Sequence, residues 1–265
     1  MKDAPGPMFN QICDRMKIRS AALLLSLENK LDRILQGWLL LAGFASAVRI
    51  AHTPPSVAAD GVFPVVAPYV LLILAPFASA VLALRWFSDG HLQPQPSTRL
   101  ALIGRWRAVG QEEARAHPLY GTAGIMVSLL IGILLNVPVR AAEYLVAMPP
   151  VAGDVPAWLS NLHLAMTFDV VLFSSLYAVA FVAALRKVPL FPRLLAAIWI
   201  ADVTMQLATA KLVASAGYVP PKVAEALQHL LYGNVEKVLI SVAIWLPYLL
   251  LSRRVNVTYR SRLPR

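Results

Sequence analysis

Polar side chains inside apolar stretches are the residues of this chain whose types and spacing could do chemistry. Asp202 lies in WIADVTMQLATAK, and Gln206 and Thr209 follow it at i+4 and i+7, so the three residues share one helix face. Asp169 lies in a second apolar stretch, LHLAMTFDVVLFSS, with His163 near its start. Such groups are costly in hydrocarbon and are therefore candidates for function. We call these five residues the polar cluster.

The polar cluster has three interpretations. Its residues hydrogen-bond neighbouring helices and hold them together, or they line a solvated path for a ligand or proton from the outer side, or the two aspartates are catalytic. The contexts Phe-Asp and Ala-Asp lack the tyrosine and glycines found beside the aspartates of intramembrane aspartyl proteases. The chain also contains no HExxH motif, nucleophile elbow or phosphate-binding glycine loop. We therefore expect no enzymatic activity, no metal site and no cofactor.

Each carboxylate needs a cationic partner, because an unpaired buried charge is strongly destabilising. At ~1.5 Å per residue, Asp202 is expected about 13 Å into the bilayer, near its midplane, and Asp169 roughly 10 Å below the outer surface. The two depths therefore differ by several ångströms. Lys211 lies about half a turn round the helix from Asp202, which disfavours a direct pair. The available cations lie at the outer ends of the spans: Arg49, Arg140, Lys211 and Lys237.

Six long apolar stretches position these residues. The 265-residue chain is 58% hydrophobic and 14% charged, which is too apolar for a soluble globular domain. The stretches do not alternate apolar and polar residues as barrel strands do, and their length suits helices that cross a bilayer. The sequence predicts an all-α polytopic transmembrane bundle with spans over residues 35–50, 64–84, 119–137, 162–185, 193–213 and 235–251.

Basic residues predict how the bundle is oriented. Nineteen of the 24 lysines and arginines lie in the N-terminal segment, the connections after spans two and four, and the C-terminal tail. Because basic flanks stay on the cytoplasmic side, we expect both termini in the cytoplasm and the protein in a bacterial inner membrane. This distribution explains the net charge of +10 without nucleic acid, because no single basic stripe is formed. The expected partners are the lipid bilayer and other membrane proteins or a second copy.

The chain divides into three parts. Residues 1–34 form a cytoplasmic amphipathic segment, residues 35–252 form the bundle, and residues 253–265 form a basic cytoplasmic tail at the inner headgroups. The tail begins at the basic pair Arg253 and Arg254. The only cysteine, Cys13, excludes an intrachain disulfide.

Three further segments have predicted structures. Residues 98–117 have apolar positions at helical spacing and predict a second amphipathic cytoplasmic helix. Residues 138–161, rich in proline and alanine, form an outer connection. Residues 220–233 predict a separate helix that lies flat on the outer surface, either as a lid or as a spacer, and ends at Gly233.

The C-terminal stretch IWLPYLLLSRRVNVTYR resembles a known family. It joins an Ile-Trp-x-Pro-Tyr span to a serine, a basic pair with valine, and a threonine before an aromatic residue. A Gly-Trp-Leu start at residues 37–39 and a basic turn with Phe-Pro-Arg at residues 186–193 agree with it. The motif consists of Ile244, Trp245, Pro247, Tyr248, Ser252, Arg253, Arg254, Val255, Thr258 and Tyr259.

Over span one and residues 163–260 the chain is similar to the bacterial integral membrane proteins of domain of unknown function family 2569. The resemblance implies the same membrane topology, with spans two and three as an addition to a four-span family pattern. It carries no established activity and no catalytic residues.

Two roles are consistent with these observations. The first is a non-catalytic accessory subunit or partner-binding membrane module, which the two amphipathic cytoplasmic segments favour. The alternative is a small transporter, or a sensor of a ligand or protons, that uses Asp202, Gln206 and Asp169.

Overall fold

The computed structural model describes residues 20, 22–52, 62–97, 105–151, 154–215 and 218–265. Most of the predicted N-terminal amphipathic segment, including Cys13, lies outside these residues, and residues 22–29 are helical. The predicted all-α polytopic bundle is confirmed, because the described residues contain six helices long and apolar enough to cross a membrane. These are α1 (Leu31–Ala51), α2 (Val62–Trp86), α4 (Ile125–Ala147), α5 (Ala157–Leu185), α6 (Phe191–Ala214) and α7 (Pro221–Leu251).

Helix α5 is the centre of the bundle. It packs against α2, α4 and α6, while α1 packs on α2 and α4, and α7 packs on α6. Small residues let neighbouring helices approach closely in a membrane, and the segment Ala180–Leu185 of α5 is buried on every side. Asp169 of α5 and Asp202, Gln206 and Thr209 of α6 are also buried inside the bundle.

The third span was predicted too early in the sequence. It was expected over residues 119–137, but α4 runs from Ile125 to Ala147 with Pro138 inside it. Pro138 interrupts the apolar pattern of the sequence, yet membrane helices tolerate proline. As a result, Arg140 lies within a spanning helix and not in the predicted outer connection over residues 138–161.

The predicted separate helix over residues 220–233 is also wrong. These residues belong to α7, which continues without a break to Leu251 and contains Gly233 in its interior. At ~1.5 Å per residue, its 31 residues extend over about 46 Å, well beyond the ~30 Å of hydrocarbon. The predicted start at consecutive prolines is correct, since proline suits the first turn of a helix.

The last residues fold back onto the bundle. Helix α8 (Arg253–Arg260) follows α7, and Ser252 ends α7 and caps α8 through its side chain. Strand β2 (Arg262–Pro264) pairs antiparallel with β1 (Trp106–Ala108). We call the end of the bundle that carries α8, β1 and β2 the tail end, and the opposite end the far end.

Residues 255–261 of the tail are buried in the bundle and do not form the surface segment that was expected. Tyr259 is 1% exposed, its hydroxyl donates to the carbonyl of Ala184 at 2.8 Å, and its ring centroid lies 5.1 Å from that of Phe191. Burial raises the pKa of the Tyr259 phenol well above its usual range, so the hydroxyl stays protonated as a donor. The stretch VNVTYR is therefore helical and part of the core.

The predicted helix over residues 98–117 forms only in part. Residues 98–104 lie outside the described part of the chain. Residues 106–108 are the strand β1, and only α3 (Gln111–Ala116) is helical. Pairing with β2 takes the place of an amphipathic helix on the membrane surface.

Candidate functional site

Arg140 joins the two intramembrane aspartates. Its Nη1 donates to Asp169 Oδ2 at 3.1 Å, and its Nη2 donates to Asp202 Oδ2. The side chains are nearly buried, with 12% of Arg140, 8% of Asp169 and none of Asp202 exposed. The carboxylates, expected at different depths, therefore meet on one guanidinium. Arg140 was among the four cations considered, but it was expected in a connection.

Gln206 bridges the carboxylates a second time. Its Nε2 donates to Asp169 Oδ1 at 2.9 Å and lies 3.4 Å from Asp202 Oδ1. The spacing of Asp202 and Gln206 by four residues places both on the face of α6 that meets α5. The prediction that this face of α6 turns away from lipid agrees with their exposure of 0% and 2%.

Aromatic rings complete the surroundings of Arg140. Its guanidinium carbon lies 5.1 Å from the ring centroid of Phe173 and 5.6 Å from that of Tyr177, within the range of a cation–π attraction. The Tyr177 hydroxyl donates to Asp202 Oδ2 at 3.3 Å. Three successive turns of α5 thus supply Asp169, Phe173 and Tyr177 to one site.

The other members of the polar cluster lie nearer the far end. Thr209 is 2% exposed on the same face of α6. His163 Nε2 lies 3.5 Å from the Tyr144 hydroxyl, which shares a 2.8 Å hydrogen bond with Thr167 Oγ1. His163 therefore belongs to a separate group on α4 and α5, while Asp169, Asp202 and Gln206 form the core of the site.

A cavity of about 500 Å³ reaches the site between α4, α5 and the far half of α7. Arg140 and Asp169 lie in its wall, and Asp202 and Gln206 lie directly behind them. Its rim is open to the surroundings, since Val146 is 83% exposed. The remaining polar side chains in the wall are Glu143, Tyr144, His229, Asn234 and Lys237.

Two polar contacts connect α7 to the site. Lys237 pairs with Glu143 of α4, and their side chains are 59% and 39% exposed. Asn234 Nδ2 donates to Gln206 Oε1 at 3.4 Å. Of the other predicted cations, Lys211 is exposed and Arg49 donates to the backbone oxygen of Met148 at 3.0 Å.

The residues of the C-terminal motif lie away from the polar cluster and build the tail end. Trp245 and Tyr248 contact edge to face, and Pro247 lies within α7. In α8, the Thr258 hydroxyl accepts from the backbone of Gly121 at 3.0 Å. Arg253 is exposed, Arg254 donates to the backbone oxygens of Leu119 and Gly121, and Val255 is buried.

The site around Arg140 is suited to binding a charged group. In the described part of the chain, no three histidine, cysteine or acidic side chains are grouped to hold a metal, and both carboxylates already accept hydrogen bonds from Arg140 and Gln206. The sequence named Arg140 as one of four possible partners without singling it out, and it did not indicate Tyr177 or Asn234. One signal was present, because the apolar pattern resumes after Arg140 as AAEYLVA.

Comparison with known proteins identifies no relative of this chain. No family model, no curated protein and no solved structure matches the chain. The resemblance of its C-terminal motif to domain of unknown function family 2569 therefore stays a prediction, and the residues of the chain carry the functional argument alone.

Proposed function

We propose that the protein is a small, non-catalytic membrane transporter or sensor that binds a small cation or a proton in the cavity between α4, α5 and α7. One observation carries the proposal: the intramembrane charges of Arg140 and Asp169 form part of the wall of a cavity that reaches an exposed rim. Concave sites with a few convergent polar groups are typical of ligand binding, and intramembrane ionisable groups mark ion and proton paths.

A purely structural role in interhelical hydrogen bonding does not account for the cavity beside Arg140 and Asp169. Residues that only hold helices together need close packing, whereas Arg140 and Asp169 border open space of about 500 Å³. The accessory-subunit role has also lost one of its two supports, since residues 106–108 form a strand where an amphipathic docking helix was expected. The cavity favours the transporter or sensor role.

The basic residues support a bacterial inner membrane with the tail end in the cytoplasm and the far end outside. Of the five lysines and arginines assigned to the outer side, Arg140 lies within α4 and Lys237 within α7, which makes the asymmetry between the two sides larger. Reporter fusions at residue 150 and at the C-terminus are expected to report opposite sides. The same side for both would contradict this orientation.

Cysteine labelling tests whether the cavity is filled with water from outside. In a Cys13→Ser background, Gly233→Cys places a thiol in the cavity wall, and Ile240→Cys places one on an exposed apolar face of the same helix. A membrane-impermeant thiol reagent added to whole cells is expected to label the first variant and not the second. An unlabelled Gly233→Cys, in protein made at normal abundance, would contradict the proposed function.

Proteoliposomes test exchange of charge. Purified full-length protein is placed in vesicles that contain a pH-sensitive dye, and a membrane potential is imposed. We expect proton uptake that Asp169→Asn abolishes and that Lys211→Gln, a change at an exposed cation, leaves intact. Equal uptake by wild type and Asp169→Asn would show that this carboxyl is not on the path.

A further inference from the structure

The buried charges between α4, α5 and α6 do not balance. One guanidinium, Arg140, faces two carboxylates, Asp169 and Asp202, which leaves one excess negative charge. The neighbouring Lys237 does not supply the missing charge, because it is paired with Glu143. An uncompensated charge inside a membrane bundle is strongly destabilising, so the site requires one further positive charge.

The two carboxylates differ in their access to the cavity. Asp202 is fully buried, and Arg140, Tyr177 and Gln206 all lie at hydrogen-bonding distance from its two oxygens. Among the described residues, Asp169 accepts from Arg140 and Gln206 only, and it lies in the cavity wall. A charge that arrives through the cavity therefore reaches Asp169 first.

We infer that Asp169 is an exchangeable proton site and that Asp202 is the permanent counter-ion of Arg140. A proton passes from water in the cavity to a carboxylate oxygen of Asp169, and the net charge of the three side chains changes from −1 to zero. The same proton returns to the cavity on release. This inference rests on the proposed function, because it uses the same cavity.

The surroundings of Asp169 determine when it exchanges. Arg140 presents a positive charge and Asp202 a negative one, while the charges of Glu143 and Lys237 offset each other. The titratable and charged groups that face this region are Arg140, Glu143 and Tyr144 of α4, His163 and Tyr177 of α5, Asp202 of α6, His229 and Lys237 of α7, and Tyr69 of α2, which contacts Tyr144.

Infrared spectroscopy of the full chain in lipid vesicles tests the charge count. Wild-type protein is expected to show the carbonyl band of one protonated carboxyl that disappears as the pH is raised. Asp169→Asn and Asp202→Asn each leave one carboxylate facing Arg140, so both are expected to lose the band. Glu113→Gln changes an exposed carboxyl of α3 that lies outside the cavity wall and is expected to keep it.

Carboxyl-retaining variants assign the proton to one side chain. Asp169→Glu is expected to shift the frequency of the band, and Asp202→Glu is expected to leave it in place. A band that moves only in Asp202→Glu would overturn the assignment to Asp169. These variants also cover the case in which an asparagine variant does not fold.

A wild-type protein without such a band at any pH would overturn the inference. If sodium ions then raised its melting temperature, the compensating charge would be an alkali cation and not a proton. Labelling of Gly233→Cys distinguishes failure of the proton site from failure of the proposed function. Labelled protein without the band contradicts only the proton site, whereas unlabelled protein contradicts the cavity itself.

Discussion

The two ends of α7 are held in different ways. At the tail end, Leu249 is 1% exposed and α8 folds back beneath the bundle with its segment Val255–Arg260 buried. In the far half of α7, Leu231 is the buried side chain among described residues 221–237. Two cavities of about 500 and 430 Å³ flank this half, against α4 and α5 on one side and α6 on the other.

The tail end of α7 therefore contributes to stability, while its far half borders the candidate binding site. Apolar packing and buried hydrogen bonds hold the tail end. The far half of α7 is connected to its neighbours by a few leucines, the Asn234–Gln206 hydrogen bond and the Lys237–Glu143 ion pair. Exposed ion pairs contribute little, and intramembrane hydrogen bonds average roughly 0.6 kcal/mol. Local opening should therefore begin at the far end, beside the polar cluster.

The largest expected effect is at the tail end. Tyr259→Ala removes a buried ring and its hydrogen bond to Ala184, which should lower the free energy of unfolding by about 4–6 kcal/mol. Its matched control is Tyr232→Ala on the far half of α7, where the side chain is 67% exposed and almost no change is expected. Unfolding by SDS in mixed micelles measures both, and equal losses would contradict the comparison.

Next in size is the removal of the guanidinium from the site. Arg140→Ala leaves the two carboxylates facing each other without a cation, and should cost about 3–5 kcal/mol. The same unfolding assay measures the loss, with Lys237→Ala, which breaks an exposed pair, as the control. Combining Arg140→Ala with Asp202→Asn should restore part of the lost stability. A double variant no better than the single one would argue against electrostatic repulsion as the cause.

Two glycine substitutions test how tightly each end is packed. A methyl group on Gly90 would lie 2.6 Å from Val188 Cγ2 and 3.1 Å from the oxygen of Arg186, so Gly90→Ala should cost about 1–3 kcal/mol at the tail end. A methyl group on Gly233 would have no described atom within 4 Å beyond its chain neighbours and its own helix backbone. Because a methyl group on Gly233 meets open space, Gly233→Ala should stabilise the helix by up to about 1 kcal/mol. Destabilisation by both would contradict loose packing at the far end.

The smallest change is expected at Asn234. Asn234→Ala removes the hydrogen bond to Gln206 and should lower stability by about 0.6 kcal/mol. Because this contact holds α7 beside the cavity, amide hydrogen exchange over residues 221–233 should become faster while exchange in α8 stays unchanged. Uniform acceleration at both ends would show that the two halves of α7 open together.

Membrane class and span number were predictable from the sequence, because long apolar runs have few alternatives in water. The burial of Asp202 and Gln206 was also predictable, since their i, i+4 spacing places both on one face. The position of Arg140 was not. Pro138 and the charged Arg140 resemble a span boundary locally, whereas the two carboxylates that pair with Arg140 inside the bundle lie on other helices.

The structure of the ends depends on contacts between distant residues. VNVTYR becomes helical because Ser252 caps it and Tyr259 enters the core beside Phe191. Residues 106–108 become a strand because residues 262–264 pair with them. Neither partner is visible in the local sequence, so amphipathic spacing alone favoured the wrong element for residues 106–108. Gly233 likewise gave a false signal for a helix end.

The length of α7 gives the surrounding lipid a direct influence on the site. A helix of about 46 Å must tilt or protrude from ~30 Å of hydrocarbon, and the end free to adjust is the far half, which carries Asn234 and Lys237. A thinner bilayer increases this mismatch and a thicker one relieves it. We therefore expect bilayer thickness to change the tilt of α7 and with it the width of the cavity.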